Sequence, residues 1–412
     1  MPASNVLDDI RKLITYKGFT KLALARFISN LGNGITPIAM SFGVLGLPNG
    51  TASQLSLVLG SQMIPLLLFM LFGGVVGDRY KRNKIVGGSD ILGSAFVLVS
   101  ASSFIFGFVS IPLLCAMGAL FGVLNALWWP AFSGVLPEIL PKDQLQRGNS
   151  VIGLLTNFGY TGGALVGGVL VTLFGSGWAL AVDALSFFIA GALVWSIDLP
   201  KIIRDESGTM FHQLREGWRE FISRKWVVSV VIAFTFINLA YESTIGVLGP
   251  LATKENGYGP KEWSLVLAIS TVGMIITGLL LLKVRLRKPL LYGITPMLFM
   301  AGWIFSLTFG IHIWIPIAIS FFAGVAIEIF YVAWSTSMQQ NIPEESYSRV
   351  VSYDALGSYA LAPLGLIFIG PVAENIGTKN ALYILSALVF IATVSALSVR
   401  EVREVREVRN EA

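Results

Sequence analysis

The sequence predicts an all-α polytopic membrane protein whose twelve transmembrane helices form two pseudo-symmetric six-helix bundles around a central cavity. Only 13% of its 412 residues are charged and 54% are hydrophobic, whereas soluble domains carry about 25% charged residues. Four long stretches contain no charged residue, and each can hold one or two helices of the roughly 20 apolar residues that cross a bilayer. These stretches are Phe27–Gly77, Ile91–Pro137, Gly148–Val182 and Pro289–Ile327.

Breaks at Pro, Gly and charge clusters divide the chain into twelve candidate spans. The predicted spans are 20–46, 53–77, 84–109, 112–136, 147–174, 177–198, 226–250, 263–283, 289–309, 313–338, 350–374 and 379–399. With this count, one side of the membrane holds 26 of the 29 Lys and Arg residues. Only Lys254, Lys261 and Lys379 lie on the other side. Because loops rich in Lys and Arg stay in the cytoplasm, we expect both termini in the cytoplasm of a bacterial-type inner membrane.

The two halves of the chain resemble each other at a constant offset. Matching pairs include Gly122 with Gly324, Gly163 with Gly365, Gly175 with Gly377, and a Pro-x5-Arg-x2-Ser element at 141–150 with the same element at 343–352. Parallel six-span repeats place a substrate cavity near the middle of the membrane. The predicted domains are bundles at 1–199 and 226–399, an amphipathic cytoplasmic linker at 200–225 and a charged cytoplasmic tail at 400–412.

The loop after the second span, 74–84, carries a recognisable pattern of Gly, Asp and Arg. It resembles the signature loop of the major facilitator superfamily, Gly-x-x-x-Asp-Arg-x-Gly-Arg-Arg, at Gly74, Asp78, Arg79 and Arg82. The resemblance implies a cytoplasmic latch in which Asp78 faces the start of the eleventh span. Asp90 and Asp354 lie one to two turns inside the cytoplasmic ends of their spans, and we expect them to pair with basic latch residues. Ordinary positive-inside charge would explain the basic residues of the loop but not Asp78.

The fifth span contains glycines that form a smooth helix face. These are Gly159, Gly163, Gly167 and Gly168. Within the superfamily they resemble the antiporter motif Gly-x-x-x-Gly-Pro-x-x-Gly-Gly, which is typical of exporters, with Ala164 in place of Pro. Close helix packing alone would also explain such a stripe. The wider segments Gly122–Ser150 and Gly324–Ser352 are similar to the macrolide-efflux and enterobactin-exporter branch, in the third drug:proton antiporter family.

Carboxylates inside membrane spans are costly and therefore indicate function. Glu328 lies near the middle of the tenth span with no Lys or Arg within about twenty positions in the sequence. It is the leading candidate for a reversible proton carrier, and a permanently protonated Glu328 bonded to a neighbouring span is the alternative. Asp183 and Glu242, in the outer parts of the sixth and seventh spans, are secondary candidates. Arg26, at the inner end of the first span, is expected to snorkel to the interface.

Polar and aromatic residues on the first, fourth, seventh and tenth spans are candidates for the substrate cavity, because the resemblance implies that these spans line it. The candidates are Asn30, Asn33, Asn125, Trp128, Trp129, Phe236, Asn238, Tyr331 and Trp334. A weakly polar, aromatic cavity without deep Arg or Lys suits bulky amphipathic or weakly cationic organic molecules. The asparagines could instead bridge helices.

The sequence therefore favours a proton-coupled exporter of small amphipathic compounds, working as a functional monomer by alternating access. Its expected partners are a small-molecule substrate, protons and the lipid bilayer. The positive charge is explained by topology, so no nucleic-acid partner is expected. No Walker-type loop, nucleophile elbow or metal-ligand cluster occurs, so we expect no enzyme activity, cofactor or metal. The alternatives are a siderophore exporter of the same fold, a lipid flippase or a non-transporting sensor.

Overall fold

The computed structural model describes residues 12–141, 144–199, 218–281, 286–310, 312–342 and 344–405. Within these ranges the side chains of 70–79, 145–147, 150, 339, 344–349 and 352 are left out of the description. Every regular element in the described part of the chain is a helix, and the predicted all-α class is confirmed.

Twelve long helical segments follow one another, and each overlaps one predicted span. They are α1 Phe19–Leu45, α2 Ala52–Arg79, α3 Arg82–Ile105, α4 Ile111–Ser133, α5 Leu145–Phe174, α6 Ser176–Trp195, α7 beginning with Lys225–Ser243, α8 Pro260–Leu281, α9 with Pro289–Ile294 and Met297–Ser306, α10 Trp314–Asn341, α11 with Glu344–Tyr359 and Ala362–Ile376, and α12 Thr378–Ser398. Eleven of these spans are both long and apolar enough to cross a membrane. α1 is equally long at 27 residues but carries more polar side chains, Arg26 and Asn30 among them.

Three of the spanning helices are interrupted. α7 passes through a π-helical turn at Thr244–Leu248 before it continues as Gly249–Glu255. α9 and α11 each break just before a second helical piece, which begins near Pro296 and Pro363, respectively. Proline lacks the amide hydrogen that an uninterrupted helix uses, which favours a break at these two places.

The chain divides into two compact units, Met1–Asp205 and Glu206–Ala412. In the first unit the close helix pairs include α1 with α5, α2 with α4, and α3 with α6. The second unit repeats these pairs as α7 with α11, α8 with α10, and α9 with α12. The two units are therefore internal repeats with the same packing.

Paired glycines make the repeated contacts possible. A Cβ atom on Gly122 of α4 would overlap the backbone oxygen of Gln62 on α2, and one on Gly324 of α10 would overlap that of Ser270 on α8. Glycine has no side chain, so these helix backbones can approach closely. The predicted match of Gly122 with Gly324 thus corresponds to one packing contact made twice.

The offset between the two repeats differs along the chain. Gly163 packs against the backbone of Leu31, and Gly365 packs against Leu239. The two leucines lie further apart in the sequence than the two glycines do. The first two helices of each bundle therefore match at a longer spacing than the later helices, and the predicted constant offset holds only for the later ones.

The longer spacing also pairs Arg26 of α1 with Phe234 of α7. This pairing is reached by counting back equally from Leu31 and Leu239. An arginine of the first unit thus corresponds to an aromatic residue of the second. The two units share a backbone framework at this place but differ in charge.

Most of the predicted linker, residues 200–217, lies outside the described residues. The last part of it is helical at 218–222, where Trp218 stacks on Phe221 and meets the ring of Tyr353 edge-on. In the predicted tail, Arg400–Glu404 forms a short helix closed by a 2.8 Å ion pair between its two end residues. Residues 406–412 lie outside the described part.

Candidate functional site

The C-terminal bundle contains a cavity of about 310 Å³ between α7, α9, α10 and α11. This volume lies at the lower end of the range for pockets that bind drug-sized ligands. The lining residues are Val230, Phe234, Ile237, Asn238, Tyr241, Met297, Met300, Ile327, Phe330, Tyr331, Trp334, Asp354, Ala355, Ser358 and Tyr359. Most of this wall is aromatic or apolar.

One wall of the cavity is a column of stacked rings. Phe234 on α7 stacks on Phe330 of α10, with ring centres 3.7 Å apart and 16° between the planes. Phe330 in turn lies parallel to Trp334, one turn further along α10, at 6.0 Å. Trp226 meets Trp334 edge-on from α7. Such a column offers flat surfaces to a ring system or to an organic cation.

Asp354 provides the only carboxylate among the lining residues. Trp334 Nε1 donates a hydrogen bond to Asp354 Oδ2 at 2.9 Å, and Ser358 Oγ donates to Oδ1 at 3.0 Å. The lining contains no Lys, Arg or His. Asp354 therefore sits on the cavity wall without a charged partner among the described residues. The predicted pairing of Asp354 with a cation of the signature loop stays a prediction, because the side chains of 70–79 lie outside the description.

Polar side chains join α7 to α11 on the same cavity wall. Asn238 Nδ2 donates to the backbone oxygen of Ser358 at 2.9 Å, and Thr235 Oγ1 donates to that of Gly357 at 2.9 Å. These bonds hold the first part of α11 against α7 just before α11 breaks. Asn238 is thus both a helix bridge and a cavity residue.

The three predicted proton-carrying carboxylates lie in different surroundings. Glu328 makes no hydrogen bond or ion pair with a described residue and faces α8, where its Oε1 lies 3.2 Å from the Cβ position of Gly278. It is not part of the cavity lining. Glu242 lies two residues before the π-helical turn of α7 and makes no hydrogen bond or ion pair with a described residue. Asp183 is completely buried and accepts hydrogen bonds from Thr36 of α1 and from Ser186.

In the N-terminal bundle, Arg26 does not snorkel as predicted. Its guanidinium carbon lies 4.8 Å from the ring centre of Trp128 and 4.4 Å from that of Phe132. The two rings are themselves stacked at 4.5 Å. The negative faces of the rings attract the cation inward, which overrides the pull toward the helix end. The negative charge of the buried Asp90 also attracts the Arg26 guanidinium.

The other predicted cavity residues of this bundle differ in exposure and in hydrogen bonding. Asn30 and Asn125 donate to backbone oxygens of their own helices, those of Arg26 at 2.7 Å and Phe121 at 3.1 Å. Trp129 is 56% exposed, whereas Trp128 is buried in the cluster with Arg26. Asn33 is half-buried and makes no contact of this kind with a described residue.

Residues of the signature loop fasten the end of the N-terminal bundle. Arg82 Nη1 lies 3.3 Å from Glu138 Oε1, which joins the start of α3 to the short helix after α4. Asn83 Nδ2 donates to the backbone oxygen of Ile197, just beyond α6, at 2.6 Å, and Lys84 Nζ donates to that of Trp195, the last residue of α6, at 3.0 Å. Helix ends leave such oxygens without partners. Gly74, Asp78 and Arg79 belong to 70–79, whose side-chain surroundings lie outside the description, so the predicted latch stays a prediction.

The glycines of the fifth span pack against α1. Positions for a Cβ on Gly159, Gly163 and Gly167 would clash with the backbone of Phe27, Leu31 and Ile35, respectively. Gly168 is buried on the same helix. Close packing accounts for this face, and the antiporter role stays a prediction.

Sequence reasoning found Asn238, Tyr331 and Trp334 on the cavity wall but missed several other lining residues. Phe234, rather than the predicted Phe236, faces the cavity. Residues Tyr241, Tyr359 and Asp354 were also not assigned there. A helix turns by about 100° per residue, so positions 234 and 236 lie on nearly opposite faces. The sequence alone does not say which face of α7 points into the bundle, and that orientation decides between the two positions.

Two helix bundles with the same internal packing, spans of membrane length and an aromatic cavity in a bundle core define a membrane transporter. The sequence profile of the Major Facilitator Superfamily matches residues 22–360. The chain belongs to this superfamily, whose members are transporters rather than enzymes, and it is a multi-pass membrane protein.

Relatives and solved structures agree with this assignment. The chain is 26% identical to macrolide efflux protein A of Streptococcus pyogenes over 88% of this chain and 91% of that one. It is 23% identical to the staphyloferrin A transporter of Staphylococcus aureus, over 89% and 92% of the two chains. A bacterial homologue of the iron transporter ferroportin, solved in an inward-facing state, has a TM-score of 0.73 at 17% identity and covers 92% of this chain and 98% of its own. The last comparison bears on the fold alone.

Proposed function

We propose that this transporter exports small amphipathic organic compounds in exchange for protons, and that the cavity of the C-terminal bundle is a substrate site. The observation that carries the proposal is the pairing of a ring column with a single carboxylate in one cavity. Phe234 and Phe330 offer flat apolar surfaces, while Asp354 offers a negative charge that Trp334 and Ser358 hold in place. This combination suits a flat or bulky molecule with one positive charge.

Export is supported by the relative that is named for macrolide efflux. The charge distribution supports an orientation with both termini inside the cell, because 26 of the 29 Lys and Arg residues fall on the side of the two termini. Both termini then lie in the cytoplasm of a bacterial inner membrane, and a single chain is sufficient for transport. Substrate would enter from the cytoplasm or the inner leaflet and leave on the opposite side by alternating access.

Coupling to protons is assigned first to Glu328. It is a carboxylate in the middle of a membrane span without a partner among the described residues. Such a group can bind and release a proton without breaking an ion pair, and carboxylates inside membrane spans commonly belong to proton routes. Asp183 and Glu242 remain secondary candidates for the outer part of the route.

The experiment is transport in proteoliposomes with an imposed pH difference. Ethidium, a fluorescent lipophilic cation, and a macrolide serve as test compounds. We expect wild-type efflux of both to depend on the gradient, and Glu328→Gln to lose this dependence. Asp198→Asn is the control, since the Asp198 side chain is fully exposed. Undiminished gradient-driven efflux by Glu328→Gln would remove Glu328 from the coupling role.

A siderophore exporter is the second candidate, supported by the staphyloferrin A transporter among the relatives. The cavity favours it less, because no Lys or Arg is available on the lining to meet an anionic ligand. A siderophore added to the panel separates the two candidates. A lipid flippase would continue to move lipid without a pH gradient, and a sensor would move none of these compounds.

A further inference from the structure

We infer that Arg26 and Asp90 form a proton-sensitive charge pair inside the N-terminal bundle and contribute to coupling there. The inference rests on the proposed proton-coupled export, and it adds a pair of residues in the bundle that does not contain the substrate cavity. When Asp90 is ionised it balances the charge of Arg26. When its carboxylate takes up a proton, Arg26 is left as an unbalanced buried cation.

Three polar groups of this cluster lack good partners. Arg26 Nε and Trp128 Nε1 are both buried and make no hydrogen bond with a described residue. Asp90 is only 7% exposed and makes no ion pair within 4.0 Å with a described residue, so the positive charge of Arg26 attracts its carboxylate from a greater distance. Buried polar groups in proteins are almost always satisfied. Two N–H donors beside one carboxylate therefore form an arrangement that a small movement can close.

The ring pair keeps Arg26 in place without occupying its N–H groups. Trp128 and Phe132 lie parallel, with 8° between their planes, and the guanidinium lies over both. A cation over a ring face is stabilised more strongly once water is excluded. Because a guanidinium keeps its proton under all physiological conditions, Asp90 is the member of the pair that can change charge.

Among the residues whose side chains are described, the other helices around Asp90 bring no second charge close to it. α6 faces Asp90 with Gly191, whose Cβ position lies 2.9 Å from Asp90 Cβ. Asp183 on α6 is eight residues from that contact, about 12 Å along the helix. α4 contributes Trp128. On α3 itself, Arg82 and Lys84 are bound at the helix start to Glu138 and to the end of α6. The side chains of 70–79 on α2 are outside the description.

The C-terminal bundle has no such pair at the equivalent place. Phe234 replaces Arg26 there and stacks on Phe330, the residue that corresponds to Trp128. Charge at this position is thus a property of the N-terminal bundle only. A proton on Asp90 would favour any conformation in which Arg26 gains water or another anion, which is how a bound proton shifts a conformational equilibrium.

The test separates gradient-driven efflux from ethidium exchange at equal pH on both sides, which requires no net proton movement. For Asp90→Asn, the uncharged isostere, we expect exchange to remain and the stimulation by the pH gradient to fall about tenfold, within the usual range of coupling between two ligands. Asp198→Asn is the control. If the pH gradient stimulated efflux by Asp90→Asn as much as efflux by the wild type, the role of Asp90 would be overturned, while the proposed export would stand.

Wild-type protein that exchanges ethidium without any response to the gradient would instead contradict the proposed proton coupling. A second measurement does not depend on how well the variant inserts into liposomes. Purified wild-type protein in weakly buffered detergent solution should release protons when ethidium binds. Asp90→Asn should release fewer protons per bound ethidium than the wild type, and the double variant Arg26→Gln/Asp90→Asn should release as few as Asp90→Asn. Equal proton release by all three proteins would contradict the role of the pair.

Discussion

Phe234 occupies the place in the C-terminal bundle that Arg26 occupies in the N-terminal bundle. Each lies on the first helix of its repeat and covers a ring of the fourth helix, Phe330 in one case and Trp128 in the other. The same backbone framework thus holds a ring on a ring in one bundle and a cation on a ring in the other. The difference matters because the ring pair lines the cavity of the C-terminal bundle.

Replacing Phe234 with Leu should weaken ethidium binding. The change removes one of two stacked rings from the cavity wall, and an aromatic pair contributes about 0.5–1.5 kcal/mol beyond its buried area. We expect affinity to fall by about three- to tenfold, measured from ethidium fluorescence with purified protein. Phe236→Leu is the matched control, because Phe236 lies on the same helix and does not line the cavity. Equal losses in both variants would show that the ring column is not the binding surface.

Replacing Trp334 with Phe should reduce the affinity for cations more than for neutral compounds. A Phe ring preserves the stack with Phe330, but it cannot donate the 2.9 Å hydrogen bond to Asp354. A hydrogen bond to a charged group contributes about 1.5–3 kcal/mol, so the carboxylate loses part of what holds it in place. We expect roughly tenfold weaker ethidium binding.

Trp226→Phe provides the control for this variant. Trp226 touches the same Trp334 ring edge-on, but its indole is not bonded to Asp354. A macrolide and an uncharged aromatic compound should be compared in the same competition assay. If Trp334→Phe weakened charged and uncharged ligands equally, Asp354 would have no part in recognising charge.

The membrane spans could be predicted from the sequence because they depend on how many apolar and charged residues each stretch contains. Stretches without charge are long enough to cross a bilayer, and every predicted span overlaps a helix of the structure. The repeat was visible as well, since close helix contacts require Gly at matching places such as Gly122 and Gly324. These features depend on the local sequence and on the thickness of the bilayer.

The interior of each bundle was harder to predict. Asp354 and Trp334 are twenty residues apart on different helices, and nothing local indicates that their side chains meet. Arg26 lies on the first helix, far along the sequence from the Trp128 ring that holds it inside the bundle. A cation near a helix end normally reaches for water, so only the position of the partner ring reveals the exception. Helix rotation and contacts between distant residues decide these sites.

Alanine at Gly122 or Gly324 should destabilise the bundle to which it belongs. Each new methyl group would overlap a backbone oxygen of the neighbouring helix, and overpacking of this kind costs about 1–3 kcal/mol. The measurement is the thermal unfolding temperature of the purified protein in one detergent. Gly302→Ala is the control, since nothing lies within 4 Å of its Cβ position. It should leave the temperature unchanged or raise it, because Ala favours a helix over Gly.

If Gly122→Ala and Gly324→Ala unfolded at the same temperature as Gly302→Ala, the helices would have room to separate. The close contact of α2 with α4 and of α8 with α10 would then not be required. A double variant should add the two losses almost completely, because the glycines lie in different units of the chain.

The ion pair of Arg82 with Glu138 gives a pH dependence with a defined sign. Burial raises the pKa of Glu138 above its usual 4.5, and the nearby Arg82 opposes that rise without cancelling it. The folded protein therefore binds the proton on Glu138 more tightly than the unfolded chain does. Stability from this group is complete below pH 4.5 and is lost as the pH rises through the raised pKa.

The comparison that isolates this effect is the wild type against Glu138→Gln, which cannot titrate at this position. We expect the difference in unfolding temperature, wild type minus variant, to decrease as the pH rises from about 4 to 7. Gly302→Ala is the control, because it changes no titratable group and its Cβ position meets no described atom within 4 Å. A difference that grows with pH would mean that attraction by Arg82, 3.3 Å away, outweighs the cost of burying the charge on Glu138.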